Sequence, residues 1–304
     1  MSARVEDSDL YRRLHAELER RLETLPDKPD ENADRALRTL WHMAAGNPLS
    51  LEQATHRPLP PLSADGERTL AALVEQRLSG TPLAHITGRQ RFLDVELLAS
   101  PSALIPRRET ELVGRAALGA LQGIPGGGPL RVIDVCTGSG NLAVALAVHE
   151  PRARVFAADL SADAVVLARE NARFAGVADR VDVREGDLLA PFSGAEFQGT
   201  THLVVCNPPY ISSAKVETMP AEISAHEPRL AFDGGALGVR ILQRLIREAP
   251  PFLRADGWLA FEVGLGQGPA VLKRLESQGT FTDARALTNE TGDIRAIIAR
   301  NRAP

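Results

Sequence analysis

Only two cysteines, Cys136 and Cys206, occur in 304 residues, so no disulfide framework can staple this chain. Each stands at the end of an apolar run and is expected to be a buried free thiol in a reducing cytoplasm. No apolar run approaches the roughly 18 residues that a membrane-spanning helix needs, which excludes an α-helical membrane protein. Basic excess is missing too: 35 Lys and Arg stand against 39 Asp and Glu, for a formal net charge of −4. A chain so balanced has no global positive field, and direct nucleic-acid binding is not expected of it. The first residues, Met1 to Asp7, bring acids and no apolar h-region, so no signal peptide is expected and the setting is cytoplasmic. Internal repeats and low-complexity tracts are absent, and no metal site is expected.

What is present is ordinary in amount and informative in order. Hydrophobic residues make up 44% and charged residues 24%, the proportions of a globular protein, and the length suggests two domains. From Asp7 to Ser79 the spacing is helical: Leu10, Leu14, Leu18 and Leu22 recur on one face, then Ala36, Leu37, Leu40 and Trp41, then Leu70, Leu73 and Val74. Prolines 26, 29, 48, 58, 60 and 61 punctuate it. This predicts a helical domain over 1–80. Gly88 followed by alternating Phe92, Val95 and Leu97 predicts a β-hairpin within a linker, 81–110. Over 111–304 the period becomes α/β. Strands are expected at Arg131–Cys136, Ala153–Ala158, Val181–Arg184, Leu203–Cys206 and Trp258–Val263, with two weaker ones near Phe281 and Ile294. Helices are expected at Ser139–His149, Ala162–Phe174 and Val239–Leu253. Strands alternating with helices of this length predict a parallel sheet covered on both faces.

Two motifs carry the chemistry. Asp134-Val-Cys136-Thr137-Gly138-Ser139-Gly140 ends the first of these strands and opens a helix, where small residues let backbone approach a ligand and free N–H groups point at it. Asp159 closes the next strand 19 residues past Gly140, where a carboxylate can accept both hydroxyls of a ribose. Taken alone, this pattern fits a nicotinamide dinucleotide as well. Asp134 ahead of the glycines, placed to orient the amino-acid end of a sulfonium ligand, shifts the reading toward S-adenosyl-L-methionine. So does Gly186-Asp187-Leu188 after the third strand, where Asp187 could receive an adenine amino group and Leu188 cover its ring. The second motif is Asn207-Pro208-Pro209-Tyr210, which follows four apolar residues. Two prolines stiffen the loop and remove two backbone donors, so the Asn207 side-chain carbonyl and the Pro208 main-chain carbonyl are free to accept the hydrogens of a planar NH₂ group. A nicotinamide oxidoreductase or a non-catalytic binding module would leave this loop without a use. An adenine-N6 methyltransferase would share the pocket but should display a basic groove.

At this point the chain resembles the HemK-like protein glutamine N5-methyltransferases over nearly its whole length. The resemblance rests on Pro82-Leu-Ala-His-Ile-Thr-Gly88, Leu104-Ile-Pro-Arg-Arg-Glu-Thr-Glu111, the glycine motif, Asn207–Tyr210, His226–Gly235 and Phe261–Gly268. It implies a seven-stranded Rossmann-like class I methyltransferase domain, a helical N-terminal domain that recognises substrate, and a linking hairpin. It also implies methylation of a protein glutamine amide, in the branch nearest this chain that of a peptide chain release factor. The family usually has Pro at the place of Arg108 and often Gly at that of Cys136; the branch acting on ribosomal protein L3 commonly has Cys there. On this reading Asn207, Pro208 and Tyr210 are catalytic, Asn207 and Pro208 holding the amide and Tyr210 walling the slot, with Pro209 beside them in the substrate site. Asp134, Cys136, Thr137, Gly138, Ser139, Gly140, Asp159, Asp187, Leu188 and Asn207 hold the cofactor. Glu109 and Glu111 read as acids favourable to a helix start. His85, His226 and Glu227 read as structural. Glu262 ends a strand, with no role assigned. Cys136 and Cys206 are expected close together and unbridged.

Overall fold

A computed structural model describes residues 5–25 and 28–302; residues 1–4 of the N-terminal segment and the expected breaker Pro26 lie outside them. The chain divides into two compact units: Met1–Arg91 with Glu96–Pro101 and Pro220–His226, and Phe92–Val95 with Ser102–Met219 and Glu227–Pro304.

The first unit is helical. It contains α1 (Asp9–Arg21), α2 (Ala33–Ala44), α3 (Leu51–Thr55), α4 (Ala64–Leu78) and α5 (Leu83–Thr87). Ser8, Asn32 and Ser63 start the three long helices, each side chain accepting from a backbone N–H three residues on. Leu14 and Leu18, Leu37, Leu40 and Trp41, and Leu70 and Val74 meet in one core, while Leu10, Leu22 and Leu73 of the expected stripe only flank it. A two-stranded hairpin, β1 (Arg89–Phe92) and β2 (Val95–Leu98), follows where the alternation predicts it.

The second unit is built on seven strands: β3 (Leu130–Val135), β4 (Ala153–Asp159), β5 (Val181–Glu185), β6 (Thr201–Cys206), β7 (Leu253–Glu262), β8 (Phe281–Thr288) and β9 (Ile294–Asn301). Their order is β5-β4-β3-β6-β7-β9-β8. The helices are α6 (Thr110–Gln122), α7 (Asn141–His149) and α8 (Ala162–Phe174), then one-turn α9 (Ser213–Val216) and α10 (Ala221–Ser224), then α11 (Arg240–Glu248) and α12 (Gly268–Gln278), with α10 in the first unit. The expectation of a parallel sheet fails at β9, which runs antiparallel to both β7 and β8. Residues 289–293 are too few for a crossover, so the chain must turn back on itself. The helix expected over Val239–Leu253 stops at Glu248, ahead of Pro250 and Pro251, and Leu253 already belongs to β7. Ile133, Val135, Val204, Cys206, Leu259 and Phe261 bury in one core, as continuous apolar runs in a doubly covered sheet should.

The strand order reverses between β3, which leads outward to β4 and β5, and β6, which leads to β7. Val135 of β3 pairs with Cys206 of β6, so the two motifs leave the sheet side by side from its carboxyl ends.

Candidate active site

After Val135 the backbone turns through left-handed conformations at Cys136 (φ 56°), Gly138 (φ 55°) and Gly140 (φ 78°). A Cβ added to Gly140 would sit 3.0 Å from the Cβ of Ala168, so this glycine lets α7 start tight against α8. One added to Gly138 would meet no protein atom within 4 Å, because that glycine opens onto a cavity. Cys136 thus adopts a backbone conformation in which glycine would be more at ease.

Asp134 corrects an expectation. Its carboxylate is wholly buried and does not line the cavity. Oδ2 accepts from Thr137 Oγ1 at 2.5 Å and from the Ala143 backbone N–H at 3.1 Å, so it braces the turn and the first turn of α7 from behind. Burial pushes its pKa up to about 7, against the two hydrogen bonds that pull it down. Gly140 likewise serves packing and lies outside the lining.

Asp159 does face the cavity. Its oxygens accept the Gly138 N–H at 2.8 Å and the Ser161 N–H at 2.9 Å, and burial raises its pKa while those bonds oppose the rise. Each oxygen keeps a further lone pair for a ligand hydroxyl. After β5, Gly186 donates its N–H to Asp159 O, and Leu188 (φ 48°) turns into the lining. Asp187 also lines the cavity, but its carboxylate already has a partner in Arg244 of α11, with Oδ2 2.9 Å from Nη1.

Around the second motif the hydrogen bonds are dense. Asn207 Nδ2 donates to Thr110 Oγ1 at 3.0 Å, and Thr110 Oγ1 donates to Glu262 Oε2 at 2.7 Å. The Tyr210 hydroxyl donates to Glu262 Oε1 at 2.8 Å, and the guanidinium of Arg295 lies 5.8 Å from the centre of the Tyr210 ring. Burial raises the pKa of Glu262, opposed by the bonds from Thr110 and Tyr210 and by the charge of Arg295. Burial, and then the neighbouring Glu262 charge, push the Tyr210 phenol up as well. Tyr210 therefore corrects a second expectation: it anchors the loop rather than walling the cavity, and neither it nor the buried Pro208 is among the lining residues, whereas Asn207 and Pro209 are.

The loop is clamped from its far side. Gln267 Nε2 donates to Tyr210 O at 3.1 Å, Gly234 donates its N–H to Ile211 O, and Ile211 donates its own to Phe232 O. Gly234 and Gly238 lie so close that added Cβ atoms would fall 2.5 Å from Pro209 O and 2.2 Å from Tyr210 O. That contact explains Gly234 and Gly238.

The cavity encloses about 1030 Å³ of space including its mouth. Cys136, Thr137, Gly138, Ser139, Asp159, Asp187, Leu188, Asn207 and Pro209 of the expected site are brought together in it. It also takes in Thr110, Arg107, Leu160 and Leu230, which the sequence reading did not assign to the site. Leucines at 56% and 49% exposure, as Leu160 and Leu230 are, mark a wall awaiting an apolar ligand face, but such exposure has no sequence signal. Ser139 Oγ, also in the lining, is buried without a hydrogen-bond partner. An orphan hydroxyl, carboxylates at Asp159 and Asp187 and apolar cover from Leu160 and Leu188 suit a nucleoside that carries a polar tail.

Other residues take structural places. Glu227 accepts from Arg107 at 2.6 Å and from the Ile105 N–H at 2.9 Å. Glu111 accepts from the Leu93 N–H, and Glu109 precedes α6; neither lines the cavity, and His226 belongs to the first unit. Cys206 is fully buried, its thiol pKa pushed up by burial and by a hydrogen bond with Cys136; both thiols are free. Among the described residues no helix is long and apolar enough to cross a membrane.

A ligand cavity at the carboxyl ends of a seven-stranded sheet with one antiparallel strand next to its edge defines a class I methyltransferase. The family model for the methyltransferase small domain matches residues 121–239, the span from α6 through both motifs. A release factor glutamine methyltransferase of Moorella thermoacetica is 38% identical over 75% of this chain and 78% of its own. One of Geobacter sulfurreducens is 34% identical over 91% of this chain and 92% of its own. In fold, a solved structure of a human methyltransferase 10 domain containing protein superposes with a TM-score of 0.51 at 17% identity, over 68% of this chain and 88% of its own. The chain belongs to the release factor glutamine methyltransferase family.

Proposed function

We propose that this chain transfers a methyl group from S-adenosyl-L-methionine to the side-chain amide nitrogen of a glutamine in a peptide chain release factor. The family relationship supports the protein substrate, and the cavity supports the cofactor. Cys136 to Ser139, Asp159, Asp187 and Leu188 would hold that cofactor, with Asp159 on the ribose and Asp187 and Leu188 at the base. When bound, it supplies an electrophilic methyl on a sulfonium that departs as a neutral thioether.

An amide nitrogen is a poor nucleophile because its lone pair is delocalised, so this chain must contribute chiefly by positioning. Asn207 Oδ1 would accept one hydrogen of the substrate NH₂, aiming the nitrogen at the methyl, with Pro208 behind it fixing the backbone of the loop. Pro209 and the clamped Tyr210 keep that loop rigid. No His or Lys stands in the loop, and none is needed beforehand; the surplus proton leaves to solvent after transfer. The helical first unit is assigned to capture of the protein substrate. The observation that carries the reading is the hydrogen bond from Asn207 Nδ2 to Thr110, which occupies the donor end of the carboxamide and leaves Oδ1 to accept.

The test is incubation with labelled methyl donor and, separately, a purified release factor, ribosomal protein L3 and duplex DNA. Label on a release-factor glutamine is expected, and label confined to L3 or DNA overturns the reading. Asn207→Ala should abolish transfer; transfer near the normal rate would remove Asn207 from the mechanism.

A further inference from the structure

A carboxamide can present either of its ends, and only its oxygen can accept from a substrate NH₂. What decides the flip of Asn207 lies one and two side chains behind it. Glu262, 1% exposed at the end of β7, faces Thr110 Oγ1 with Oε2 at 2.7 Å and the Tyr210 hydroxyl with Oε1 at 2.8 Å. Burial works against the charged form of Glu262, while the bonds from Thr110 and Tyr210 and the charge of Arg295, 3.8 Å from Oε1, support it. A carboxylate only accepts, so each hydroxyl must direct its single hydrogen at it. Thr110 Oγ1 then has only lone pairs left for Asn207, and the atom it meets at 3.0 Å has to be the donor, Nδ2.

We propose that Thr110 and Glu262 are positioning residues for the methyl transfer, setting the direction of a hydrogen-bond chain that turns the Asn207 oxygen toward the cavity. The assignment rests on Asn207 being the acceptor for the substrate amide. Thr110 is 1% exposed and lines the cavity, so it holds Asn207 from within the same wall. Were Glu262 replaced by an amide, its NH₂ could donate to Thr110. The threonine hydrogen would then swing to Asn207, and the carboxamide would turn its own NH₂ into the cavity, donor against donor.

The experiment measures kcat, KM for a release-factor substrate and cofactor dissociation constant by calorimetry for Thr110→Val, Thr110→Ser and Glu262→Gln. Misdirecting one reactive contact costs about 100-fold in rate. Thr110→Val and Glu262→Gln should therefore lose about that factor in kcat/KM while cofactor affinity stays within about twofold of the parent. Thr110→Ser, which keeps the hydroxyl, should retain most of the activity. Full activity in Thr110→Val or Glu262→Gln overturns the proposal. So does equal loss in Thr110→Ser and Thr110→Val, because a merely packing role would show that pattern. If Thr110→Val melts below the assay temperature, Glu262→Gln against Thr110→Ser decides alone. Loss in Asn207→Ala together with full activity in Thr110→Val would sink this inference and leave the amide-acceptor reading intact; full activity in Asn207→Ala would sink the reading itself.

Discussion

Asp134 offers a test of how the site is held together. Its carboxylate is fully buried with a pKa near 7 against an ordinary value of 3.8, and Oδ1 has no partner. The sign follows from which state ionises first. Below pH 3.8 both folded and unfolded chains are protonated at this position and it contributes nothing. As pH rises from there the unfolded chain ionises freely while the folded one does not, so stability is lost progressively until the folded group ionises near pH 7, and the loss is constant above that. At 1.36 kcal/mol per unit, the full penalty is about 4 kcal/mol, of which about 2 kcal/mol is already present at pH 5. Asp134→Asn keeps the shape and one acceptor for Thr137 and Ala143 but cannot ionise. Urea unfolding of both proteins from pH 5 to pH 8 should show the variant gaining on the parent by about 2–3 kcal/mol across that range, levelling off above pH 7. A difference that does not change with pH would mean that Asp134 titrates normally and that its burial is met by some other group.

Asp159→Ala should weaken S-adenosyl-L-methionine binding about 10- to 100-fold, the worth of a charge-assisted hydrogen bond, as read by calorimetry. Unchanged affinity would remove Asp159 from the cofactor site. Gly140→Ala meets both a left-handed backbone and Ala168 at 3.0 Å and should cost about 1–3 kcal/mol in unfolding free energy; a neutral result would show that α7 and α8 can part cheaply. Under native conditions iodoacetamide should label Cys136 and spare Cys206, which should react only after unfolding. Intact mass without reductant should correspond to two free thiols.

Much was legible from the chain alone, because period and punctuation are local properties. The alternation of apolar runs with helical stretches reports strands and helices without reference to any partner, and glycines and prolines mark where the backbone must bend. Hence the glycine turn, Asp159 and the Asn207 loop could be named as a site, and the strands that carry them located to within a residue or two. Direction was less legible at β9, where the shortness of 289–293 mattered more than composition.

What the tertiary structure alone decided was the role of each side chain within the site. Asp134 and Tyr210 stand in the motifs beside residues that face the cavity, yet one braces the turn from behind and the other fastens the loop to Glu262. Thr110 and Glu262, 152 positions apart, share a hydrogen bond only because α6 and β7 are brought together in the folded unit. Which end of a carboxamide faces a substrate depends on where a neighbour's proton goes. That neighbour is chosen by packing across the sheet rather than by position along the chain.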